Sequence, residues 1–558
     1  MEEISEKFTM DYASHAQELD IEVRKVLLTS VCRPLGEKYG HGPSVGYELL
    51  HAQVTRAQGL FSPRSLHVSF GLEYIAENID VPTTVLQYPS KREFIGELKC
   101  GHDLIGISFV LGTFNSMKEQ VELIRKYSPH SKIVLGGYGT VLSDETLLPL
   151  ADFICREEGV GFMRRVLGQP EKAMPYSHPT IVNPLTVFGR NVSRTGVVFG
   201  GLGCPHGCDF CCTSHFFRRK HIRLLPTGAD IYAVVQRYMK LSPEMTIIIL
   251  DEDFLLNRKR AFEFRDCVVR DGKALSIFCF ASVKAVSMYT VTEILEMGID
   301  GIWIGYEGTR SGFEKQSGRP VEEIFTEFRE HGITILASMI VGFDYQTPEI
   351  IEEELSGLLA LKPCFNQFLI YGPMPGTPFY DRTVEQGLLV HDVGADPEGL
   401  SRKASGFDAL VKHPSMSGFE IEKTQRTCFE QDFKRLGPSI FRCIETWLLG
   451  HLKLRDSDNP ILLDKARMYE RQLRDSYPVF LAGRLFGPTR EVRRWIGQLQ
   501  ERIHSVIGRP TLPERFLAVA GVGLAAATGT ALKLGWFQHP KLIRHTYGER
   551  EGSSAESV

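Results

Sequence analysis

Residues 201–215 read GLGCPHGCDFCCTSH, which places Cys204, Cys208, Cys211 and Cys212 within nine positions. Twelve cysteines occur in 558 residues, and the others are scattered. The acidic amino terminus, MEEISEKFTMDY, lacks the basic start and apolar run of a secretory signal, which predicts a cytoplasmic main body whose thiols stay reduced. The cluster therefore reads as metal-binding or catalytic rather than as a disulfide framework. Two kinds of metal compete for it. Structural zinc takes four closing ligands, usually as two separated pairs; no second CxxC pair exists, and His206 and His215 fill the gap only awkwardly. An iron–sulfur cube is held by thiolates, and three of them leave one iron open to a non-protein ligand, where chemistry can occur.

Elements must position these thiols. A second series of strand-like runs begins near Thr195 with TGVVFGG and continues through EMTIIILDEDF, ALSIFCFASVK, IDGIWIGYEG, GITILASMIVGF and FNQFLIYGPMPGTP, with helical segments between them. Six such units at spacings near 30 residues predict a partial (β/α) barrel over 190–390, and the cysteines follow its first strand. In such barrels chemistry sits at the carboxyl ends of the strands.

Ahead of it, PTTVLQYP, HDLIGISFV, SKIVLGGYG and ADFICREEG alternate with helical stretches such as MKEQVELIRKY. This predicts a doubly wound parallel sheet over 70–185, preceded by an extension over 1–69. Ligands of such sheets lie beyond the carboxyl ends of the strands, here 107–116 and 135–140. Gly136, Gly137 and Gly139 also suit tight turns of positive φ. After about residue 390 long helical patterns take over, predicting a helical C-terminal domain over 391–510, then an apolar segment and disordered tail, GEREGSSAESV, over 511–558.

With 43% hydrophobic and 24% charged residues the chain is globular, and its length calls for several domains. A net charge of −4 and a pI near 6.5 give no reason to expect nucleic acid, whose binding is driven by phosphate neutralisation.

The CPHGCDFC loop on the first strand of a β/α barrel resembles the radical S-adenosylmethionine (SAM) superfamily, and the resemblance covers residues 195–385. It implies that Cys204, Cys208 and Cys211 ligate a 4Fe-4S cluster whose fourth iron is chelated by SAM. It places Phe210 beside the adenine and leaves Cys212 a packed neighbour. Asp251, Glu252 and Asp253 end the second strand, where the family contacts the methionine moiety, and Glu252 and Asp253 are the residues chosen. Ser282 and Lys284 fall where polar and basic residues hold the ribose or carboxylate, and Glu307 matches an acidic residue facing SAM. The 70–185 domain resembles, in order and spacing, the cobalamin-binding domain of a branch of this superfamily. It lacks the DxHxxG sequence that supplies a histidine to cobalt: His102 and Asp103 stand in reverse order. The branch binds the corrin through backbone and small side chains, here Ser108, Leu111, Gly136, Gly137 and Thr140.

The resemblance implies reductive cleavage of SAM to a 5'-deoxyadenosyl radical and cobalamin-dependent C-methylation of an unactivated carbon. Ring-forming or oxidative chemistry and a non-catalytic iron–sulfur scaffold or sensor are the alternatives, and no residue marks the catalytic hydrogen donor. The partners implied are a small-molecule or lipid substrate and a one-electron reductant such as a flavodoxin or ferredoxin. Finally, Arg484, Arg490, Arg493, Arg494, Arg502, Arg509 and Arg515 precede an uncharged run from Phe516 to Leu532. That pattern fits either a peripheral membrane contact or a buried, glycine-loosened core helix.

Overall fold

The first sheet is built on KVLLTS. In the computed structural model, which describes residues 14–15, 19, 22–34, 50–65, 67–390, 396–534 and 541–548, Val26–Ser30 (β1) is buried along its whole length. MEEISEKFTMDY, and the tail beyond Gly548, lie outside the described residues. Thr83–Gln87 (β2), Leu104–Ser108 (β3), Lys132–Gly136 (β4) and Phe153–Ile154 (β5) complete a parallel sheet of order β2-β1-β3-β4-β5. Val26 pairs with both Thr83 and Leu104. Helices cover both faces, so strands such as LIGIS are apolar almost throughout. The crossover helix Lys91–Leu98 opens with a capping box between Ser90 and Glu93. Phe114–Tyr127 buries Phe114, Met117, Val121 and Ile124 at helical spacing.

This sheet reaches beyond the 70–185 span. Its central strand β1 comes from the stretch ahead of residue 70, and Ile543–Tyr547 pairs antiparallel with β2 at the edge. A five-residue run preceded by Arg24 and Lys25 has no helical or alternating period of its own. What makes β1 a strand is pairing with segments far along the chain.

All six strand candidates of the second series form, and they are consecutive and parallel. They are Arg190–Val198 (β6), Thr246–Ile249 (β7), Ile277–Phe280 (β8), Ile299–Glu307 (β9), Thr334–Val341 (β10) and Phe365–Ile370 (β11). Val182–Val187 adds antiparallel outside β6, followed by Arg64–Ser65, so β11 remains an edge and the barrel is partial. The helices Gly228–Leu241, Arg258–Asp271, Val321–Glu330 and Pro348–Ala360 lie between the strands and bury Ile231, Phe264, Phe325 and Leu355 against them.

The C-terminal domain is helical. Its helix Pro460–Asp475 is fastened under the barrel by Lys465, whose buried Nζ donates to Gly298 O (3.1 Å) and Asp300 Oδ2 (3.0 Å). The apolar run lies in the helix Leu512–Lys533, and it is not a core helix: Phe516 is 76% exposed, and only Gly521 and Ala525 are buried.

Candidate functional site

Two glycines shape the cysteine loop. Gly203 (φ +82°) leaves β6's extension so close to Lys220 that a Cβ would stand 2.3 Å from its carbonyl oxygen, and Gly207 takes φ +70°. Ser214, on the helix Cys212–Phe216, donates from Oγ to Cys204 O (2.7 Å) and accepts from Gly207 N (3.0 Å). Cys211 N donates to Cys208 O at 3.0 Å. The three sulfurs are thus held by a backbone that bonds to itself.

Burial is the main cause that pushes the Cys204 thiol up to about 12 and Cys208 to about 11, and it raises Cys211 too. Thiolates there need cationic partners. Among the described residues no three His, Cys, Asp or Glu side chains converge as they would on a single ion. Three cysteines in CxxxCxxC spacing are the donor chemistry of a cluster in which each thiolate takes its own iron.

The acids at the end of β7 divide by role. Asp251 is fully buried, pairs with Arg260 at 2.6 Å and accepts from Gly200 N at 2.8 Å, so it fastens β7 to β6. Glu252 is largely buried with Oε2 unpartnered, and desolvation lifts its carboxyl to about 7. Asp253 Oδ2 accepts from Ser282 Oγ (2.7 Å) and bonds His206 Nε2 (2.8 Å), while its Oδ1 is buried without a partner. Ser282 also caps the helix Val283–Val286 through Ala285 N. Lys284 stands apart, paired with the exposed Glu314.

On the other side of the cysteines Glu307 is buried at φ +58°, with its carboxylate on Lys315 Nζ. Lys315 in turn lies 5.7 Å over the Phe210 ring. Phe210 packs edge-on against Phe313 and Tyr371. Burial alone would lower the Lys315 ammonium, but Glu307 and the neighbouring Cys208 and Cys211 raise it. Lys315 and Tyr371 escaped the sequence reading, which weighed His206 only as an awkward zinc ligand and not as a partner of Asp253. His206 occupies a variable position inside the cysteine motif, and Lys315 follows β9 in an irregular segment with no period.

A cavity of about 420 Å³ opens at the carboxyl end of the first sheet. Ser108, Gly136 and Gly137 line it, and it runs inward between Leu28, Gly106, Val134 and Phe162. Leu111 and Thr140 do not line it: Leu111 sits in the core, and the Thr140 hydroxyl is held by the carbonyls of Gly137 (2.8 Å) and Cys155 (3.0 Å). The barrel side contributes Phe199, Leu202, Phe216 and Phe217 to its lining. Tyr138 meets the rings of Phe216 and Phe217 edge-on at 5.2 and 6.2 Å, and Cys212 packs on the core of the first sheet. The cavity and the cysteine loop therefore share a wall.

No family model matches the chain. It is similar to an uncharacterised methyltransferase of Pyrococcus horikoshii (25% identity, 44% of this chain, 53% of that one) and to the hopanoid C-2 methylase of Rhodopseudomonas palustris (25%, 38% and 40%). It also resembles the anaerobic magnesium-protoporphyrin IX monomethyl ester cyclase of Rubrivivax gelatinosus (22%, 53% and 61%). The chain spans about half the length of these curated relatives. Its fold matches the structure of TsrM, a radical S-adenosylmethionine methyltransferase from Kitasatospora setae with cobalamin and a [4Fe-4S] cluster bound, at TM-score 0.51 and 12% identity over 81% of this chain and 99% of that one.

Proposed function

We propose that the chain is a member of the radical SAM superfamily, in the branch whose barrel follows a cobalamin-binding domain, and that it cleaves SAM reductively and methylates an unactivated carbon of a small-molecule or lipid substrate. The observation that supports this most is the shared wall: Phe216 and Phe217, on and just after the helix that follows Cys211, also line the cavity opened by Ser108, Gly136 and Gly137. A substrate between the two sites reaches both.

Cys204, Cys208 and Cys211 hold a 4Fe-4S cluster in this reading, and the cavity takes cobalamin. When bound, the cluster supplies one electron that splits the sulfonium of SAM, and the corrin supplies the methyl group. The chain's own residues bind and enclose. The unpartnered oxygens of Glu252 and Asp253 accept the ammonium of SAM, since a buried orphan acceptor costs about 1–3 kcal/mol until it finds a donor. Phe210, held by Phe313 and Tyr371, offers a rigid apolar face to the adenine. Glu307 and Lys315 neutralise each other, so they present donors and acceptors beside the thiolates without adding net charge. The aromatic wall excludes water from the path between the sites.

Ring-forming or oxidative chemistry on the same cofactors is the second reading, and the likeness to the anaerobic cyclase favours it. The one-electron donor is a flavodoxin or ferredoxin. The exposed face of Leu512–Lys533 provides a peripheral contact with an anionic bilayer, in keeping with a lipid substrate.

The test is anaerobic incubation of cluster-reconstituted protein with cobalamin, SAM, dithionite and cell extract. Expected are 5'-deoxyadenosine, S-adenosylhomocysteine and a product heavier by one methyl group, all lost in Cys208→Ala together with the cluster absorbance. Cleavage of SAM that survives in Cys208→Ala overturns the reading. A wild-type protein that keeps its cluster yet leaves SAM intact returns the non-catalytic scaffold.

A further inference from the structure

Glu354 is a buried carboxylate that the SAM site does not use. It stands on the helix Pro348–Ala360 and is 1% exposed. Among the described residues it forms no ion pair, and the partners of its carboxylate are neutral. Oε2 accepts from Gln346 Nε2 at 2.7 Å, while Oε1 accepts from the Tyr345 hydroxyl at 3.2 Å and from Thr309 Oγ1 at 3.3 Å. Burying a carboxylate without a cation is costly, and these donors offset that cost only while they stay aimed at it. Gln346 is itself fixed: its Oε1 accepts from Gly342 N (2.6 Å) and Phe343 N (3.0 Å), just past the end of β10.

This hub supports the end of β9. The pairing of β9 with β10 slips between Gly305 and Glu307, a bulge of the kind that re-aims a side chain. Glu307 then takes φ +58°, and a left-handed non-glycine residue persists only where its surroundings over-determine it. The turn closes on itself through Gly308 N, which donates to Tyr306 O at 2.7 Å, and Gln316 Nε2 donates to the same carbonyl. Its outer side rests on Glu354. A Cβ on Gly308 would stand 3.0 Å from both carboxylate oxygens, and the Tyr306 hydroxyl donates to the backbone oxygen of Glu354 at 3.4 Å. On the inner side, a Cβ on Gly305 would run into the Glu307 carboxylate and stand 3.3 Å from Lys315 Nζ. The Glu307–Lys315 pair is therefore folded back over β9, next to Phe210.

We propose that Glu354 is a positioning residue for the SAM site: from the outer helix it locks the turn after Tyr306 and so keeps the Glu307–Lys315 pair in place beside Phe210. The inference rests on the reading given above, in which that pair meets SAM. Loss of the Glu354 acceptors frees Glu307 to leave its left-handed conformation, which swings its carboxylate away from Gly305 and Lys315. SAM then loses contacts made equally before and during cleavage, and such a loss raises KM and spares kcat.

The experiment uses the cluster-reconstituted, cobalamin-loaded protein and three variants. Glu354→Gln keeps the shape but turns an amide N–H toward Gln346 Nε2, and Gln346 cannot flip because Gly342 and Phe343 hold its oxygen. In dithionite-driven cleavage its KM for SAM is expected to rise about tenfold with kcat within about twofold of wild type, and cluster absorbance should not change. Without SAM, hydrogen exchange of residues 306–317 should quicken; with SAM, the change in the electron paramagnetic resonance of the reduced cluster should need correspondingly more ligand. Tyr345→Phe, which removes one donor, should shift KM about threefold. E354Q/Q346E returns an acceptor to face the new amide and to hold Gly342 and Phe343, and it should recover most of the SAM affinity. A Glu354→Gln protein with wild-type KM and wild-type SAM titration of the cluster signal overturns the inference, as does a lowered melting temperature with no shift in KM. If Glu354→Gln does not fold, Tyr345→Phe decides, and an unchanged KM there overturns the inference. A wild-type cluster signal that ignores SAM sinks the functional reading instead, so the two failures are distinguishable.

Discussion

Gly136 and Gly137 adjoin in the chain and line the same cavity, yet they make different demands. Gly137 has φ +87°, and a Cβ there would stand 2.5 Å from Phe109 O, so any side chain strains the backbone whether or not a corrin is bound. At Gly136 a Cβ would meet only Cys155 Cβ, at an ordinary 3.8 Å. Gly136→Val is therefore the cleaner probe of the cavity. It is expected to leave the melting temperature of the cobalamin-free protein close to wild type while equilibrium dialysis shows cobalamin affinity falling at least about tenfold, because the added methyl groups occupy ligand volume. Gly137→Ala should instead destabilise the fold by about 1–3 kcal/mol in denaturant titration. Unchanged cobalamin affinity in Gly136→Val would remove the corrin from this cavity.

The helix Leu512–Lys533 illustrates what an element adds to its composition. Gly521, Ala525 and Gly529 recur every four residues on one face, and this face packs: a Cβ on Gly521 would meet Pro478 O at 2.8 Å, and Gly529 lies against Leu60. Small residues let the helix approach Tyr477–Phe486 closely and leave Phe516, Leu517 and Val519 outward, each more than half exposed. Burying such a face in a bilayer is worth about 25 cal/mol per Å², with about 1 kcal/mol more from each basic residue near an anionic surface. F516D/L517D is expected to abolish salt-sensitive sedimentation with phosphatidylglycerol vesicles and to leave the cluster intact. Sedimentation equal to wild type would reject the membrane contact. Point substitutions are required, since truncation ahead of this helix also deletes Ile543–Tyr547 from the first sheet.

Over the whole molecule, Ile543–Tyr547 ties a segment that follows the helical domain back to the first sheet. The His545 ring and the Tyr547 hydroxyl bond the buried carboxylate of Glu73, and Arg544 pairs with Glu97 at 3.0 Å. The hydrogen bond to Glu73 raises His545 above its ordinary 6.5. Burial by itself would raise Glu73, but hydrogen bonds from His545 and Tyr547 outweigh it and hold the carboxyl below 4.5. The raised histidine contributes stability that is complete below about pH 6.5 and fades as pH climbs through its folded value. The depressed carboxylate contributes above about pH 4.5 and fades on acidification. The strand should thus be held tightest between those limits and loosen toward alkaline pH. Hydrogen exchange of residues 543–547 is expected to quicken beyond the intrinsic base-catalysed rate between about pH 6.5 and 8.5, and His545→Ala should remove that excess. A flat excess across this range in the wild type would show that the pair does not hold the strand.

Much of the architecture was legible in the sequence, because the signals that carry it are local. Each run from TGVVFGG to FNQFLIYG carries an apolar stretch long enough for a buried strand and is separated from the next by helical sequence, so its signal is local. The spacing of Cys204, Cys208 and Cys211 is likewise a property of one loop. Tertiary structure decided what depends on distant partners. β1 is central in its sheet only because β2 and β3 flank it, and Ile543–Tyr547 is a strand only because β2 offers an unpaired edge. Leu111 and Thr140 face the core, and Lys315 reaches Glu307 and Phe210, because those directions follow from how the loops fold back after β3, β4 and β9. Hydrophobic period and residue spacing act over one turn or one strand, whereas burial and pairing are fixed by whichever segments the chain brings alongside.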